Sequence, residues 1–270
     1  MHIVKVSKVG EFTLVQKYTA FNFGGAGKKR KKRQKVSSEY QRKYNTKLRA
    51  DELQLLILGN FREGYHLVLG YPKGNEKCTY RESDENLKRF LDRVRRRCKK
   101  AGKEFKFIAI TERGKRKEAL HHHMVIPNDP ELLELIRQQW GSGHIHISTM
   151  YEDGAYRELA EYLVKVETKE EAEKGKAKYH RSRNLRKPEV RRMVSNEKLR
   201  DDPVIPKGYE LVKDSFVSGF HEGLGIRYQR YMVRDLRPCP QKPKLKKPHK
   251  FSLLNGIKRL LSRRNRANGS

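Results

Sequence analysis

The sequence predicts an α+β domain, and three observations carry that prediction. Short runs of five or six residues that are β-branched, aromatic or alternating recur between positions 66 and 148. Between them lie longer segments whose apolar residues return at helical spacing, and Gly or Pro punctuates the joins. Read in order, the pattern is β-α-β-β-α-β-α.

The first strand is residues 66–71, HLVLGY, stopped by Pro72. Ser83 is expected to cap a helix on which Leu87, Phe90, Leu91, Val94 and Cys98 form one stripe and which Gly102 ends. Residues 105–110, FKFIAI, read as the second strand, turning near Gly114 into residues 121–126, HHHMVI, as its hairpin partner. Asp129-Pro130 opens a helix carrying Leu132, Leu133, Leu135, Ile136 and Trp140, stopped by Gly141. Residues 144–148, HIHIS, are the fourth strand, and a helix follows over residues 156–166. Upstream, residues 1–23 fit a short strand or hairpin, and residues 37–61 turn helical. Downstream, residues 209–212 and 227–233 are strand-like.

Charge narrows the partners. The 270 residues hold 63 Lys+Arg against 32 Asp+Glu, a formal charge of +31, which opposes compaction and favours a polyanion. Nucleic acid is the first candidate, because Lys and Arg on phosphates release condensed counterions. No apolar run approaches the ~20 residues a spanning helix needs, so no membrane partner is expected. The N-terminal residues lead into no signal-peptide stretch, so export is not expected either. Cys78, Cys98 and Cys239 form no CxxC pair, which argues against a zinc ribbon or disulfide framework and suits a reducing cytoplasm.

Two groups of residues bear chemistry. In a strand, residues i and i+2 share a face, so His121 and His123 can present two imidazoles to one cation. Glu112 stands across the hairpin from them and supplies a carboxylate, with Glu118 as the alternative. Two imidazoles and one carboxylate, with positions left open, suit Mg²⁺ or Mn²⁺ better than a closed zinc site. His144-Ile145-His146 is a rival histidine pair, but it lacks a carboxylate on an adjacent hairpin strand. The second group is Tyr162 with Lys165, which at i and i+3 share a helix face and can meet one phosphate together. A phenol near pKa 10 attacks poorly until a cation or base favours its ionised form.

This ordered set, His66-Leu67-Val68-Leu69-Gly70-Tyr71, Glu112, His121-His122-His123-Met124-Val125, Trp140-Gly141, Tyr162-Leu163-Val164-Lys165 and Ser182-Arg183-Asn184-Leu185-Arg186-Lys187-Pro188, resembles the HUH endonuclease superfamily. It is most similar to its single-tyrosine rolling-circle replication initiators from plasmids, phages and integrative elements. Two positions depart from that pattern: Gly70 precedes Tyr71 where a Thr is usual, and His122 replaces a bulky apolar residue, which suits a partly buried face. The resemblance implies a ferredoxin/RRM-like antiparallel sheet of about five strands with helices on one face. It also implies Glu112, His121 and His123 as ligands of Mg²⁺ or Mn²⁺. Tyr162 would be the nucleophile that nicks and rejoins single-stranded DNA through a 5′-phosphotyrosyl link, assisted by Lys165. Conjugative relaxases and transposases share this chemistry. A non-enzymatic nucleic-acid-binding protein of RRM-like fold is the reading from a different class.

The same reading divides the chain into a basic arm and helix (1–60), an endonuclease core (61–188), an extension (189–237) and a basic tail (238–270). Partners implied are single-stranded or hairpin origin DNA, a host polymerase and a host helicase, since no GxxxxGK[ST] loop occurs in these residues. Residues 238–270 contain no acidic residue, so the tail is expected to add affinity rather than chemistry. Deleting it should weaken DNA binding and flatten the plot of log K against log salt by about 0.7–0.9 for each phosphate the tail neutralises. Cleavage at saturating protein should survive; a folded, DNA-saturated truncation that cannot cleave would contradict this role.

Overall fold

The computed structural model describes residues 2–19, 39–72, 79–113, 119–150, 153–174, 179–196, 198–221 and 225–237. The basic run at 28–35, Gly114, Glu118, Tyr151 and the tail from 238 lie outside the described residues. None of the described helices is long and apolar enough to cross a membrane.

Two antiparallel sheets organise the chain, in keeping with the α+β class. The central sheet has five strands: β3 (Tyr65–Gly70), β4 (Ile108–Arg113), β5 (Leu120–Ile126), β6 (Ile145–Thr149) and β7 (His180–Arg181), in the order β6-β3-β5-β4-β7. Helix α2 (Tyr80–Lys100) joins β3 to β4, and α3 (Pro130–Gln139) joins β5 to β6. Each helix therefore carries the chain past a neighbouring strand, as in a split βαβ unit.

The apolar stripe expected on α2 is buried, with Leu87, Phe90, Leu91, Val94 and Cys98 packed on Leu67, Leu69, Ala109, Met124 and Ile126. Leu132, Ile136 and Trp140 complete that layer. The cap differs from expectation. Thr79, not Ser83, is the N-cap, and its hydroxyl accepts from the Glu82 N–H while the Glu82 carboxylate accepts from the Thr79 N–H. Ser83 is instead fully buried one turn into the helix. The expected cap of α3 is present: Asp129 Oδ1 accepts from the N–H groups of Glu131 and Leu132, both at 3.0 Å.

The expectation of helices on one face is corrected. Ile108, Ile110 and Val125 project from the opposite face into a second core. There they meet α1 (Glu39–Asn60) through Leu53, Leu56 and Ile57, and α4 (Arg157–Lys174) through Ala160, Leu163 and Val164. Both faces of β5 are buried towards its C-terminal end, so its apolar residues run on without alternation.

A six-stranded sheet closes this second core. It comprises β1 (His2–Val9), β2 (Phe12–Tyr18), β8 (Glu189–Ser195), β9 (Tyr209–Leu211), β10 (Val217–His221) and β11 (Ile226–Asp235). β1 pairs with β2 and with β8, while β2 also pairs with β11. Sequence positions before 20 and after 188 therefore share one sheet.

The joint between this sheet and the helices is polar. Asp51 on α1 is buried, and its carboxylate accepts from Gln16 Nε2 of β2 at 2.7 Å and from Arg230 Nε of β11 at 2.7 Å. It also pairs with Arg157, the first residue of α4. Neighbouring Gln54 accepts from Arg230 Nη2 at 3.0 Å and donates to the Ala155 carbonyl at 2.9 Å. Ala155 and Tyr156 take φ of +51° and +59°, a region costly to residues with a Cβ. Gln54 and the Tyr156 hydroxyl, which accepts from the Glu63 N–H at 3.0 Å, hold that turn into α4. Asp51→Ala would leave two guanidinium groups without their carboxylate in a dry layer. This change is expected to cost about 3–5 kcal/mol, read as a fall in the urea midpoint. An unchanged midpoint would show that the joint does not depend on this charge.

Candidate metal centre

Strand parity on β5 sorts three consecutive histidines. His121 and His123 face the α1/α4 side of the central sheet, and His122 faces the α2/α3 side. Cross-strand pairing then sets their neighbours: Glu112 of β4 stands opposite His121, and Val68 of β3 stands opposite His123. The strand expected at 105–110 runs from Ile108 to Arg113, which carries Glu112 within the ladder rather than past its end.

Glu112, His121 and His123 form a group whose potential ligand atoms all lie within 4.8 Å of one another. Glu112 Oε2 is 2.9 Å from His123 Nε2 and 3.4 Å from His121 Nε2. His121 Nδ1 donates to the Ala119 carbonyl at 3.3 Å, which leaves its Nε2 lone pair on the site side. Tyr162 reaches down from α4, its hydroxyl donating to Glu112 Oε2 at 2.6 Å with His123 Nε2 at 3.2 Å. Leu163 and Val164 anchor that turn in the second core while Tyr162 stays 41% exposed. Its environment is open to solvent on one side and walled by the sheet on the other.

Electrostatics couple these groups. Burial pushes the Glu112 carboxyl up, but hydrogen bonds with Tyr162 and His123 and the nearby imidazoles outweigh it, leaving its pKa below the usual value. Burial is also the largest influence on His123, holding it below the usual imidazole value against the opposing pull of Glu112. Tyr162 is raised well above the ordinary phenol, first by burial, then by donating to the Glu112 carboxylate and by its charge. With no cation present the phenol is thus held protonated.

Lys165 is exposed one turn beyond Tyr162 and makes no hydrogen bond or ion pair with Glu112, His121 or His123. The rival pair does not assemble: His144 and His146 are exposed at the sheet edge, and no carboxylate joins them among the described residues. Tyr156 is buried, and Tyr179 packs beside Arg181. The segment 182–188 is held by a two-way clasp, with Asn60 donating to the Arg186 carbonyl at 2.9 Å and accepting from the Arg186 N–H at 2.7 Å.

Both departures from the family pattern have physical explanations. A Cβ on Gly70 would sit 2.3 Å from the His144 ring, so that imidazole fills the space a side chain at 70 would take. His122 is fully buried, contrary to the partly buried face expected for it. Its ring is satisfied there by Thr111 Oγ1 at Nδ1 (2.9 Å) and by the Tyr71 hydroxyl at Nε2 (2.8 Å), with Ser83 Oγ at 3.5 Å. Hydroxyls can donate or accept, so the cluster accommodates either neutral tautomer. Sequence reading missed His66, which lies in the ring plane of His123 with Nε2 3.2 Å from His123 Nδ1. A histidine on β3 at the parity facing His123 was visible; the pairing that brings them together was not.

A split βαβ sheet with a His-His-Glu group and a phenol at its open face defines the chain as an α+β protein with a candidate divalent-metal centre. Residues 65–171, which contain all four of those side chains, match the family model for the replication-associated protein ORF2 and gene-2 protein group, a family of rolling-circle replication initiators. That match supports a role in replication initiation and, with it, DNA binding. Comparison with curated proteins and with solved structures returned no match.

Burial lowers the pKa of His122 to about 3, so the native state stays neutral where an unfolded histidine near 6.5 takes up a proton. Protons then favour the unfolded chain, so this contribution is full above pH 6.5 and declines as the pH falls. Between about pH 6.5 and 4.5 the unfolding free energy should drop by about 2–3 kcal/mol from His122, and His66, lowered to about 4 by burial, adds in the same direction. Urea titrations across that window check it; a flat profile contradicts the neutral buried imidazole.

Proposed function

We propose that this chain nicks and rejoins single-stranded DNA at a replication origin, with Tyr162 as nucleophile and Glu112, His121 and His123 holding Mg²⁺ or Mn²⁺. The observation that carries this reading is the Tyr162 hydroxyl, 2.6 Å from Glu112 Oε2 in the one group of described residues able to hold a metal. The donor set fits such an ion: two imidazole nitrogens and a carboxylate oxygen on one side, with the other side open to a phosphate and water. Bound there, the cation would polarise the scissile phosphate and stabilise charge on its oxygens.

The protein's own contribution is orientation and proton control. The two β-strands fix three ligands, and α4 fixes the phenol over them, so the attacking oxygen is positioned before DNA arrives. Glu112 holds the phenolic proton at 2.6 Å; drawing its charge away from Tyr162 removes the interaction that keeps the phenol protonated. The phenolate oxygen forms a bond to phosphorus, the bond from phosphorus to the 3′ oxygen breaks, and that oxygen leaves with a proton as the 3′-hydroxyl. The phosphotyrosyl ester retains the energy of the broken linkage, so attack by a 3′-hydroxyl reverses the step without ATP. Lys165, exposed at i+3, assists by meeting the phosphate from the helix side. Exposed Arg96, Arg97, Lys99 and Lys100 end α2, and Arg183, Arg186 and Lys187 lie on the clasped segment, offering cations to the DNA backbone. Duplex unwinding and extension from the 3′-hydroxyl fall to a host helicase and polymerase.

Incubation with single-stranded oligonucleotides and Mn²⁺, followed by a denaturing gel, tests this reading. A covalent species should appear, carry its nucleotide on Tyr162 by mass spectrometry, and vanish in Tyr162→Phe while DNA binding persists. His121→Ala and His123→Ala should each lower the yield by more than about 100-fold, and Lys165→Ala should slow the reaction without abolishing it. A nucleotide on another tyrosine, or an adduct that forms equally well in excess EDTA, would refute the assignment.

A further inference from the structure

We infer that His66 is a positioning residue for the candidate metal centre: its Nε2 accepts the Nδ1 proton of His123 and so holds His123 in the tautomer that can bind a cation. This inference rests on the metal reading given above and extends it to a residue outside the donor set.

A histidine that binds metal through Nε2 must carry its proton on Nδ1, and that N–H needs an acceptor. His121 has one in the Ala119 carbonyl at 3.3 Å. His123 is 5% exposed, and among the described residues no backbone carbonyl serves its Nδ1; what lies 3.2 Å away is His66 Nε2. The two ring planes differ by only 6° and their centroids are 5.3 Å apart. That separation is close to the nitrogen–nitrogen distance plus one ring radius on each side. The rings therefore lie edge to edge in nearly one plane, the geometry of an in-plane N–H···N hydrogen bond rather than of face stacking. The alignment follows from the sheet: His66 of β3 and His123 of β5 are diagonal neighbours on one face, since His66 stands opposite Val125 and Val68 opposite His123.

The pair has two neutral arrangements with the same number of protons. Without a cation, the carboxylate of Glu112, which only accepts, puts the His123 proton on Nε2 at 2.9 Å; His123 Nδ1 then accepts from His66 Nε2–H. For His123 Nε2 to offer a lone pair, its proton must sit on Nδ1 and point at His66, whose own proton then sits on Nδ1. One hydrogen bond is kept in both arrangements, with donor and acceptor exchanged. A carbonyl in the place of His66 would support only the second, and an apolar side chain neither.

Titration of Mn²⁺ into the full chain, followed by the EPR signal of the free ion, tests the inference. Replacing His66 by Phe keeps a planar ring but removes the acceptor, and should weaken Mn²⁺ binding by about 10–100-fold. His66→Gln restores an acceptor oxygen at about the position of Nε2, and its affinity should return to within about threefold of the unsubstituted chain. Unchanged affinity in His66→Phe overturns the inference and leaves the metal reading standing, as does equal weakening in both variants. Failure of the unsubstituted chain to bind Mn²⁺ overturns the metal reading and this inference with it. A measurement free of substitutions is the long-range nitrogen–proton spectrum of the Mg²⁺-loaded chain. Protons on His66 Nδ1 and His123 Nδ1 are the expected result, and a proton on His66 Nε2 contradicts it.

Discussion

A carboxylate removed from water needs cationic or hydrogen-bonding partners, and the partners Asp51 takes come from three separate elements. Gln16 brings β2, Arg230 brings β11 and Arg157 brings the start of α4 to one buried oxygen pair on α1. The six-stranded sheet, the long helix and the helix bearing Tyr162 are thereby indexed to one another. Apolar packing would tolerate sliding among these layers, because the hydrophobic effect is not directional. The hydrogen bonds at Asp51 are directional, and they set where α4 begins. Tyr162 follows one and a half turns later, so its reach to Glu112 depends on a polar joint in another part of the core.

Within the central sheet the governing constraint is the two-residue period of a strand. It places chemically identical side chains in opposite roles at adjacent positions. His122 is sealed among Thr111, Tyr71 and Ser83, where every ring nitrogen has a hydroxyl and protonation is suppressed. His121 and His123 face the cluster with Glu112 and Tyr162. A polar residue in an apolar layer is costly unless satisfied, and here the helix α2 supplies part of the satisfaction through Ser83. The fully buried serine that resembles a helix cap in the sequence is thus explained by the strand beneath it.

Local patterns made much of this molecule legible. The order of helices and strands from 65 to 171, the pairing of β4 with β5, the cap at Asp129-Pro130 and the shared face of His121 and His123 follow from spacing and turn chemistry alone. What stayed hidden depends on partners remote in sequence. β1 pairs residue for residue with β8, as in His2 with Ser195, and the exposed run EVRRMVS of β8 has no alternating pattern to announce a strand. The helices on both faces were hidden for the same reason: only the second sheet shows that α1 and α4 have a layer to pack against. Thr79 was passed over for Ser83 because a capping box depends on backbone geometry, which composition does not give. His66 was read as part of an apolar strand, and its link to His123 needed the register between β3 and β5.

The outer sheet also constrains the order in which the chain can become complete during synthesis. Strands β3 to β6 and their two helices are contiguous in sequence, so they can pair as soon as residue 149 has emerged. β1 and β2 emerge earlier still, yet β1 waits for 189–195 and β2 for 226–235 before its outer edge is covered. Through that interval the first hairpin has two bare edges, the condition that invites pairing with other nascent chains. The apolar residues of β2, Phe12 and Leu14, would then be shielded only by whatever α1 offers. Chain ends that meet late make the closing strands a timing element: translation that stalls before β11 leaves a finished central sheet beside an unfinished one.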